Sequence, residues 1–522
     1  MSRIGRIGVG RGLVWAAIAM IASAVADTAM AATAAEPLYQ EALRPQIHFT
    51  PPQQWMNDPN GLVYADGEYQ LFYQYNPYAN VWGPMHWGHA VSRDLLHWEH
   101  LPIALFPDRN GAIFSGSAVV DASNSSGFGS KEHPPLVAIF TYHDTLRANL
   151  ESAGFQSQGI AYSLDGGRNW TPYAGNPVLK SPKTRDFRDP KVFWYEPTHR
   201  WIMVLAVGDH AALYSSGNLR EWQYESDFGK GVGAHGDVWE CPDLIALNVA
   251  GTTQRRYVLL ISVARGAPNG GSGTQYFVGD FDGHRFSADA TSRRQVRWVD
   301  YGTDDYAGST WSGAAPGDAR TLFIGWMSNW RYARQVPTER WRGTLTLPRQ
   351  LQLAQSDGVM QLQSEPVREL AAARISTTPL NVPDLNEPLQ LPGLDATHAY
   401  EIQMQVDWRD GNGMSLTFAN DDGEQSVLRF DRASRRMEFD RTESGNTDFE
   451  EGFAQIEGAP LNGNLDTMDL QVIVDRTSVE VFVNHGATVL TAVVFPKRPY
   501  QKVTLDADRP IGLNSGAVYQ LR

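Results

Sequence analysis

The feature that most constrains the fold is a turn motif that recurs three times in a region rich in short β-type runs. The motif is Ser-x-Asp/Asn followed by a turn and Trp, and its copies begin at Ser92, Ser163 and Ser216, 71 and 53 residues apart. The short polar side chain can fold back onto the turn, while the Trp anchors the hairpin. This spacing is typical of propeller blades that carry long loops. A sandwich with coincidental turns is the alternative.

Most of the chain between residues 60 and 350 indicates strands. Segments such as 69–73, 201–205 and 257–261 are rich in β-branched and aromatic residues and are bounded by Gly, Pro, Asn and Asp. Helical periodicity is almost absent there. We therefore predict an all-β protein with a five-bladed β-propeller over residues 47–357. The blades are predicted to begin near residues 60, 112, 187, 238 and 297.

A second domain is predicted, because 522 residues exceed the usual size of one compact core. Residues 366–374 begin with Pro and continue with good helix formers, so we predict a linker with a short helix over residues 358–375. Residues 400–406 and 479–483 alternate apolar with polar side chains, as half-buried antiparallel strands do. A C-terminal β-sandwich over residues 376–522 follows.

The first 31 residues have the pattern of a secretory signal peptide. Arg3, Arg6 and Arg11 precede an apolar run at 13–25, and Ala-Met-Ala follows at 29–31. We expect cleavage near Ala31 and secretion to the periplasm or the medium. No later stretch has the roughly 20 apolar residues that a membrane span requires, so no membrane association is expected.

The overall charge argues against a nucleic-acid-binding protein, and the cysteine content excludes a disulfide-bonded fold. The formal net charge is -14 at pH 7, and an acidic surface repels phosphate groups, so we expect no nucleic-acid partner. Cys241 is the only cysteine, so no intramolecular disulfide can form. The oligomeric state is left open.

Three motifs far apart in the chain each place an acid beside a residue that can orient it. They are Asp58 in Trp-Met-Asn-Asp-Pro-Asn-Gly, Asp189 in Arg-Asp-Pro, and Glu240 in Trp-Glu-Cys-Pro-Asp. Taken singly, Asp58 could cap a turn, and Asp189 could form a surface ion pair with its neighbour. Two or three such acids meeting in one pocket would suit cleavage of a glycosidic bond.

Other candidate sites are less convincing. Cys241 could be a reactive thiol, but no base is recognisable around it, and we reject cysteine catalysis. Histidines recur between His86 and His100. On a strand, however, residues 86 and 89 point to opposite faces, so we expect hydrogen-bonded structural histidines and no metal. The Gly-rich run at 229–233 lacks a following helix pattern and indicates a loop, not a phosphate site.

The three acidic motifs together resemble the β-fructosidases of glycoside hydrolase family 32. The resemblance includes Phe-Ser-Gly-Ser at 114–117, Gly-Trp-Met-Ser-Asn-Trp at 325–330 and Trp-Arg-Gly at 341–343, all in the family's order. It implies a five-bladed propeller with a sandwich, and retaining hydrolysis of fructosides without a metal or organic cofactor.

The resemblance also implies roles for the three acids. Asp58 would be the nucleophile, Glu240 the general acid/base, and Asp189 the stabiliser of the fructosyl cation through the ring hydroxyls. A retaining mechanism needs one ionised carboxylate and one protonated carboxyl about 5 to 5.5 Å away. We expect nearby amides to keep Asp58 ionised, and the poorly solvating neighbours Trp239 and Pro242 to favour the neutral form of Glu240.

Sugar contacts are carried over from the family to matching positions, and these are Asn57, Gln74, Trp82, Phe114, Ser115, Arg188, Asp304 and Trp326. Amides and the guanidinium can hold hydroxyls, while the indoles offer apolar walls. One departure is Asp305, where many family members have an aromatic residue. It places the wall of the pocket, and hence the linkage preference, in question.

The sequence therefore predicts a secreted, exo-acting β-fructosidase that removes terminal fructosyl units from levan or inulin, and from sucrose. The polymer preference depends on residues 326–343 alone. The enzymatic alternatives are a sucrose-specific invertase and a fructosyltransferase. A non-catalytic carbohydrate-binding propeller is the alternative outside the enzyme class, and the three acids argue against it.

Overall fold

A computed structural model describes residues 38–522 except 151–152, 182–183, 357 and 396. The described residues are almost entirely β-structure, with four short helical segments: α1 (Thr145–Asn149), α2 (Ala290–Arg294) and 3-10 turns at Glu196–Thr198 and Arg368–Ala373. The predicted signal peptide and its cleavage position lie outside the described residues. None of the helices described is long and apolar enough to cross a membrane.

Five antiparallel sheets follow one another along the first part of the chain. Their strands are β1 (Gln54–Ala65), β2 (Glu68–Asn76), β3 (His86–Ser92) and β4 (Glu99–Leu105) in the first sheet; β5 (Ala112–Val120), β6 (Leu136–His143), β7 (Gln156–Ser163), β8 (Thr171–Pro172) and β9 (Leu179–Lys180) in the second; β10 (Arg188–Tyr195), β11 (Arg200–Val207), β12 (His210–Ser216) and β13 (Gln223–Phe228) in the third; β14 (Trp239–Asn248), β15 (Arg255–Val263), β16 (Gly273–Phe281) and β17 (Phe286–Ala288) in the fourth; and β18 (Tyr306–Thr310), β19 (Thr321–Trp326), β21 (Arg349–Ser356) and β22 (Val359–Pro366) in the fifth.

The first strands of these sheets, β1, β5, β10, β14 and β18, contact one another in cyclic order, and β18 returns to β1. A two-residue strand, β20 (Trp341–Arg342), is added to the first sheet from late in the chain. It pairs in parallel with Gln54 and Trp55 and so becomes an edge of the first sheet. The chain therefore joins a late segment to its earliest strand.

The recurring Ser-x-Asp/Asn motif occupies the same place in three of the sheets. Each copy begins at the last residue of the third strand, which is β3, β7 or β12. In the first copy, Ser92 Oγ accepts the Leu95 amide at 2.8 Å and Asp94 Oδ1 accepts the His97 amide at 2.8 Å. The Trp residues are half-buried at these turns. The predicted folding of the polar side chain onto the turn is confirmed.

The remaining strands form two six-stranded sheets that face each other across one apolar core. The first sheet contains β23 (Arg374–Pro379), β25 (Ala399–Asp407), β30 (Thr467–Asp475), β31 (Ser478–Val483), β32 (Thr488–Val493) and β34 (Gly512–Leu521); the second contains β24 (Leu389–Gln390), β26 (Gly413–Ala419), β27 (Gln425–Asp431), β28 (Arg436–Asp440), β29 (Ile456–Pro460) and β33 (Lys502–Ala507). Alternate residues such as Ile402 and Leu416 fill this core. We call them the C-terminal sheets.

Three element boundaries differ from those predicted. Strand β1 begins at Gln54, before the first blade start predicted near residue 60. Strand β22 (Val359–Pro366) lies within the predicted linker and pairs along its whole length with β21, so the fifth sheet extends beyond residue 357. Strand β18 begins at Tyr306 and not near residue 297, because residues 300–305 run along strand β32 of the C-terminal sheets.

Candidate active site

Each of the five first strands carries a β-bulge near its beginning, where the ladder register shifts. The two bulged residues are 57–58, 114–115, 189–190, 241–242 and 307–308. A bulge twists the strand and redirects side chains. Asp189, Cys241 and Ala307 take positive φ values of 63°, 45° and 53°, a conformation that L-residues rarely adopt. The bulges thus direct side chains of different sheets toward one place.

The three predicted acids line one cavity of about 410 Å³. Asp58 and Asp189 belong to bulges, and Glu240 immediately precedes one. The sulfur of Cys241 lies 3.6 Å from Asp58 Oδ2 and 3.7 Å from Asp189 Oδ2. Three acids from three sheets therefore meet at the strand beginnings.

Asp58 is held by two hydrogen-bond donors. The Trp55 indole donates to Asn57 Oδ1 at 2.8 Å, so the amide nitrogen of Asn57 faces Asp58 and donates to its Oδ1 at 2.9 Å. Ser115 Oγ donates to Asp58 Oδ2 at 2.8 Å. Burial and the nearby charge of Glu240 raise the pKa of Asp58 despite these bonds. The neighbouring amides alone, on which the sequence expectation rested, therefore do not determine its ionisation.

Asp189 is a buried acid between a guanidinium and two other carboxyl groups. Burial raises its pKa from 3.8 to about 7, opposed by the charge of Arg188 and reinforced by the two other acids. The backbone amide of Cys241 donates to Asp189 Oδ2 at 3.0 Å. Burial also raises the pKa of the Cys241 thiol well above its usual value, which disfavours the reactive thiolate.

Glu240 is fixed by residues from two other sheets. The guanidinium of Arg188 donates to Glu240 Oε1 from Nε at 3.1 Å and from Nη2 at 3.0 Å. The Tyr306 hydroxyl donates to the other carboxylate oxygen, Oε2. The side chain of Glu240 retains 21% exposure. The carboxyl group of Glu240 is therefore surrounded by an arginine and a phenol. This environment is more polar than the one expected from its sequence neighbours Trp239 and Pro242.

The structure brings most predicted sugar contacts into the pocket but not all. The predicted residues that line it are Asn57, Gln74, Trp82, Phe114, Ser115 and Arg188. Trp326 is fully buried and lies behind the pocket, with its ring centroid 4.9 Å from that of Trp330, which does line it. Asp304 is also fully buried, and its carboxylate binds Arg441 and Tyr332. Asp304 and Trp326 therefore do not line the pocket, and the sugar contacts carried over to them stay predictions.

Several lining residues were not predicted from the sequence, and these are His143, Ala148, Phe155, Gln156, Arg185, Asp186, Val238, Ala264, Trp330 and Arg334. Most come from loops or strand ends where no motif marks them. Arg185 and Asp186 could have been found, because they immediately precede the Arg188 motif. Tyr306 was missed because a tyrosine in a β-run is ordinarily a core residue.

The predicted histidine pair is hydrogen-bonded to protein groups. The ring of His86 bonds the carbonyl of Pro84 at 2.9 Å, and His89 bonds Gln70 Oε1 at 2.6 Å. In the part of the chain that the structure describes, no group of three or more His, Cys, Asp or Glu side chains is arranged to hold a metal ion.

An all-β protein that gathers carboxyl groups, an arginine and aromatic walls in one pocket has the features of a glycoside hydrolase. The model of the glycosyl hydrolases family 32 N-terminal domain matches residues 48–366, and that of the family's C-terminal domain matches residues 368–517. The chain belongs to glycosyl hydrolase family 32.

Individual relatives are similar over nearly the whole chain. A levanase of Bacillus subtilis (strain 168) is 48% identical over 477 residues, which cover 90% of this chain and 69% of the levanase. An extracellular exo-inulinase of Aspergillus niger is 38% identical over 511 residues, covering 92% and 94%. The crystal structure of an exo-inulinase from Aspergillus awamori superposes with a TM-score of 0.84 at 34% identity, covering 93% of this chain and 99% of that one.

Proposed function

We propose that the protein is an exo-acting β-fructosidase that hydrolyses terminal fructosyl residues of levan or inulin, and of sucrose. The observation that carries this proposal is the convergence of Asp58, Asp189 and Glu240 in one pocket, where the sulfur of Cys241 contacts both Asp58 and Asp189. Family 32 membership and the similarity to a levanase and to exo-inulinases support the same substrate class.

The proposed mechanism is a retaining double displacement. Asp58, held by Asn57 and Ser115, attacks the anomeric carbon of the fructosyl unit and forms a covalent ester. Glu240 donates its proton to the departing glycosidic oxygen and then removes one from the incoming water. The ester is hydrolysed, which releases fructose and regenerates both carboxyl groups.

Asp189 is proposed to stabilise the developing fructosyl cation by binding ring hydroxyls. It lies beside Asp58, and both contact the same sulfur. Asn57, Gln74, Ser115 and Arg188 add polar groups for the sugar hydroxyls. Trp82 is 37% exposed and packs edge-on against Phe114 with ring centroids 5.9 Å apart, which provides an apolar wall.

We infer that the five sheets are the blades of a β-propeller and that the two C-terminal sheets form a β-sandwich. The cyclic contacts of the first strands, which return from β18 to β1, support the propeller. The common core of the last two sheets supports the sandwich. In a propeller, bulges at the same position of every first strand converge at one end of the central axis.

We also propose that the protein is secreted. The N-terminal sequence pattern and the extracellular exo-inulinase of Aspergillus niger support this. Expression of the full-length gene in its host, followed by N-terminal sequencing of the exported protein, tests it. A mature protein that begins close to residue 32 is expected, and a product retained in the cytoplasm with residue 1 intact would contradict it.

The pH dependence of activity should move when Ser115 is replaced. In Ser115→Ala, Asp58 loses the hydrogen bond that favours its ionised form, so its pKa rises further. Because the nucleophile acts only when ionised, the acid limb of kcat/KM on sucrose should move to higher pH, by on the order of one unit. The loss is greatest in acid and small at alkaline pH.

The matched control is Ser117→Ala on the same strand. Ser117 Oγ donates to the Pro190 carbonyl at 2.9 Å and contacts none of the three carboxylates. This variant should lose stability without moving the acid limb. An unmoved limb in Ser115→Ala, or the same shift in both variants, would show that Ser115 does not set the ionisation of Asp58.

The products formed from inulin, levan and sucrose test the proposed activity. Fructose alone, present from the first time point with both polymers, is the expected result. Oligosaccharides released early would indicate endo cleavage. No reaction with either polymer would indicate an invertase, and longer sugars formed from sucrose would indicate a fructosyltransferase. Binding of fructans without any product would contradict an enzymatic role.

A further inference from the structure

The segment at residues 300–305, which leads into strand β18, is held against the C-terminal sheets. The amide of Tyr301 donates to the Val489 carbonyl at 2.8 Å, and the amide of Asp304 donates to the Thr491 carbonyl at 3.2 Å. In return, the Thr491 amide donates to Asp300 Oδ1 at 2.9 Å. Strand β32 therefore supports this segment from outside the first five sheets.

The carboxylate of Asp304 is held from both parts of the protein. From the C-terminal sheets it accepts hydrogen bonds from the Val493 amide at 2.9 Å and from Arg441 Nη1 at 3.2 Å, both at Oδ2. The Tyr332 hydroxyl donates to Oδ1 at 2.6 Å. The side chains of Asp304 and Arg441 are fully buried, so their pairing is not weakened by water.

The next residue, Asp305, belongs to a second buried ion cluster. Arg349 Nη1 donates to Asp305 Oδ2 at 3.0 Å, and Arg349 Nη2 donates at 2.5 Å to Glu480 of the C-terminal sheets. Space around Asp305 is tight, because a Cβ atom at Gly325 would lie 1.9 Å from its Oδ1. Asp305 therefore has one defined position.

The residue that follows these two acids contacts the catalytic acid proposed above. The Tyr306 hydroxyl donates to Glu240 Oε2, and Tyr306 is buried. Because Asp304 and Asp305 directly precede Tyr306, their carboxylates limit how the start of strand β18 can shift or rotate. A displacement of the phenol would redirect the Glu240 carboxyl, and errors near 1 Å at a reacting group can cost about 100-fold in rate.

We propose that Asp304 and Asp305 are positioning residues for catalysis. They anchor Tyr306 to the C-terminal sheets through Arg441 and Arg349, and Tyr306 in turn holds the Glu240 carboxyl toward the leaving oxygen. The C-terminal sheets thus act on the proton-transfer step without reaching the pocket. This inference rests on the proposed function, since it assumes that Glu240 protonates the leaving group.

The test compares Asp304→Asn with Asp475→Asn. Asp475 is also a buried interface acid, and it binds the ring of His48 at 2.9 Å and the amides of residues 46 and 47. His48 links it to Glu480, a partner of Arg349, so this variant controls for the loss of an interface acid outside the contacts that Asp304 makes with Arg441 and Tyr332. Both variants should lower the thermal midpoint. Only Asp304→Asn should lower kcat on sucrose, on the order of tenfold with KM nearly unchanged, and less on an aryl fructoside whose leaving group needs no proton.

A double-mutant cycle with Tyr306→Phe identifies the route of the effect. Because the phenol carries the contact to Glu240, Asp304→Asn should reduce kcat by less than about twofold in the Tyr306→Phe background. Should Asp304→Asn fail to fold, Tyr332→Phe removes one hydrogen bond to Asp304 and should show the same dependence on the leaving group, at smaller magnitude.

Additive losses in the cycle would overturn the proposal, as would equal kcat losses in Asp304→Asn and Asp475→Asn. A loss independent of the leaving group would also overturn it. The proposed function is judged separately by the wild-type protein, whose failure to cleave any fructoside would leave no kcat to compare.

Discussion

Replacement of Asp58 by Asn will abolish fructoside hydrolysis while the protein stays folded. The amide has the size of the carboxylate but cannot form the glycosyl ester, so the first displacement has no nucleophile. We expect kcat on sucrose to fall at least about 10,000-fold, as losses of covalent nucleophiles generally do. The thermal midpoint should stay equal or rise, because Asp58 is a partly buried acid whose pKa is raised by burial.

The matched control is Asp66→Asn, which makes the same substitution in the hairpin that joins β1 to β2. Asp66 is exposed, has a φ of 51° and precedes Gly67, and Asn-Gly is an equally favoured turn. This variant should keep wild-type kcat. If Asp58→Asn retained a tenth or more of the activity, Asp58 would not be the nucleophile.

Replacement of Glu240 by Ala will reduce hydrolysis by an amount that depends on the leaving group. Sucrose and fructans need a proton on the departing oxygen, so kcat should fall on the order of 100- to 10,000-fold. In an aryl fructoside with an acidic phenol, the phenolate departs without that proton. The formation of the glycosyl-enzyme from this substrate should therefore be nearly unaffected. Burst kinetics with the aryl substrate should reveal the accumulated glycosyl-enzyme, because the second step also lacks its base.

Glu196→Gln serves as the control for loss of a glutamate charge, since its side chain is 74% exposed on the third sheet. Its activity on both substrates should equal that of the wild type. Equal losses of kcat/KM on sucrose and on the aryl fructoside in Glu240→Ala would exclude proton donation as the role of Glu240, because kcat/KM reports the step in which the leaving group departs.

Much of the strand arrangement could be predicted from the sequence because local patterns reflect it. The blade start predicted near residue 112 coincides with the first residue of β5. The blade starts predicted near residues 187 and 238 lie one residue before β10 and β14. The first blade start, predicted near residue 60, differs from the Gln54 start of β1. The fifth predicted start is wrong, because residues 300–305 form no strand of the fifth sheet and instead bond to β32 of the C-terminal sheets. Local alternation cannot distinguish a strand inside a sheet from an extended segment that supports a distant one.

The acids of the site could be predicted because short motifs surround them, whereas the supporting contacts could not. Tyr306 reaches Glu240 through the arrangement of whole sheets, which no local pattern encodes. Asp304 shows a different limit: the family resemblance gives it as a sugar contact, whereas its buried carboxylate binds Arg441. This partner lies 137 positions away in the chain, where no local pattern indicates it.

The parallel pairing of Trp341 and Arg342 with the start of strand β1 has a consequence for biosynthesis. When the ribosome has completed residue 240, all three acids exist, but the strand edge beside the first of them is still uncovered. Nascent molecules therefore present an unpaired β-edge during much of translation, a state prone to intermolecular association. A chain that stops short of residue 341 contains all three acids and still lacks the segment that covers this edge.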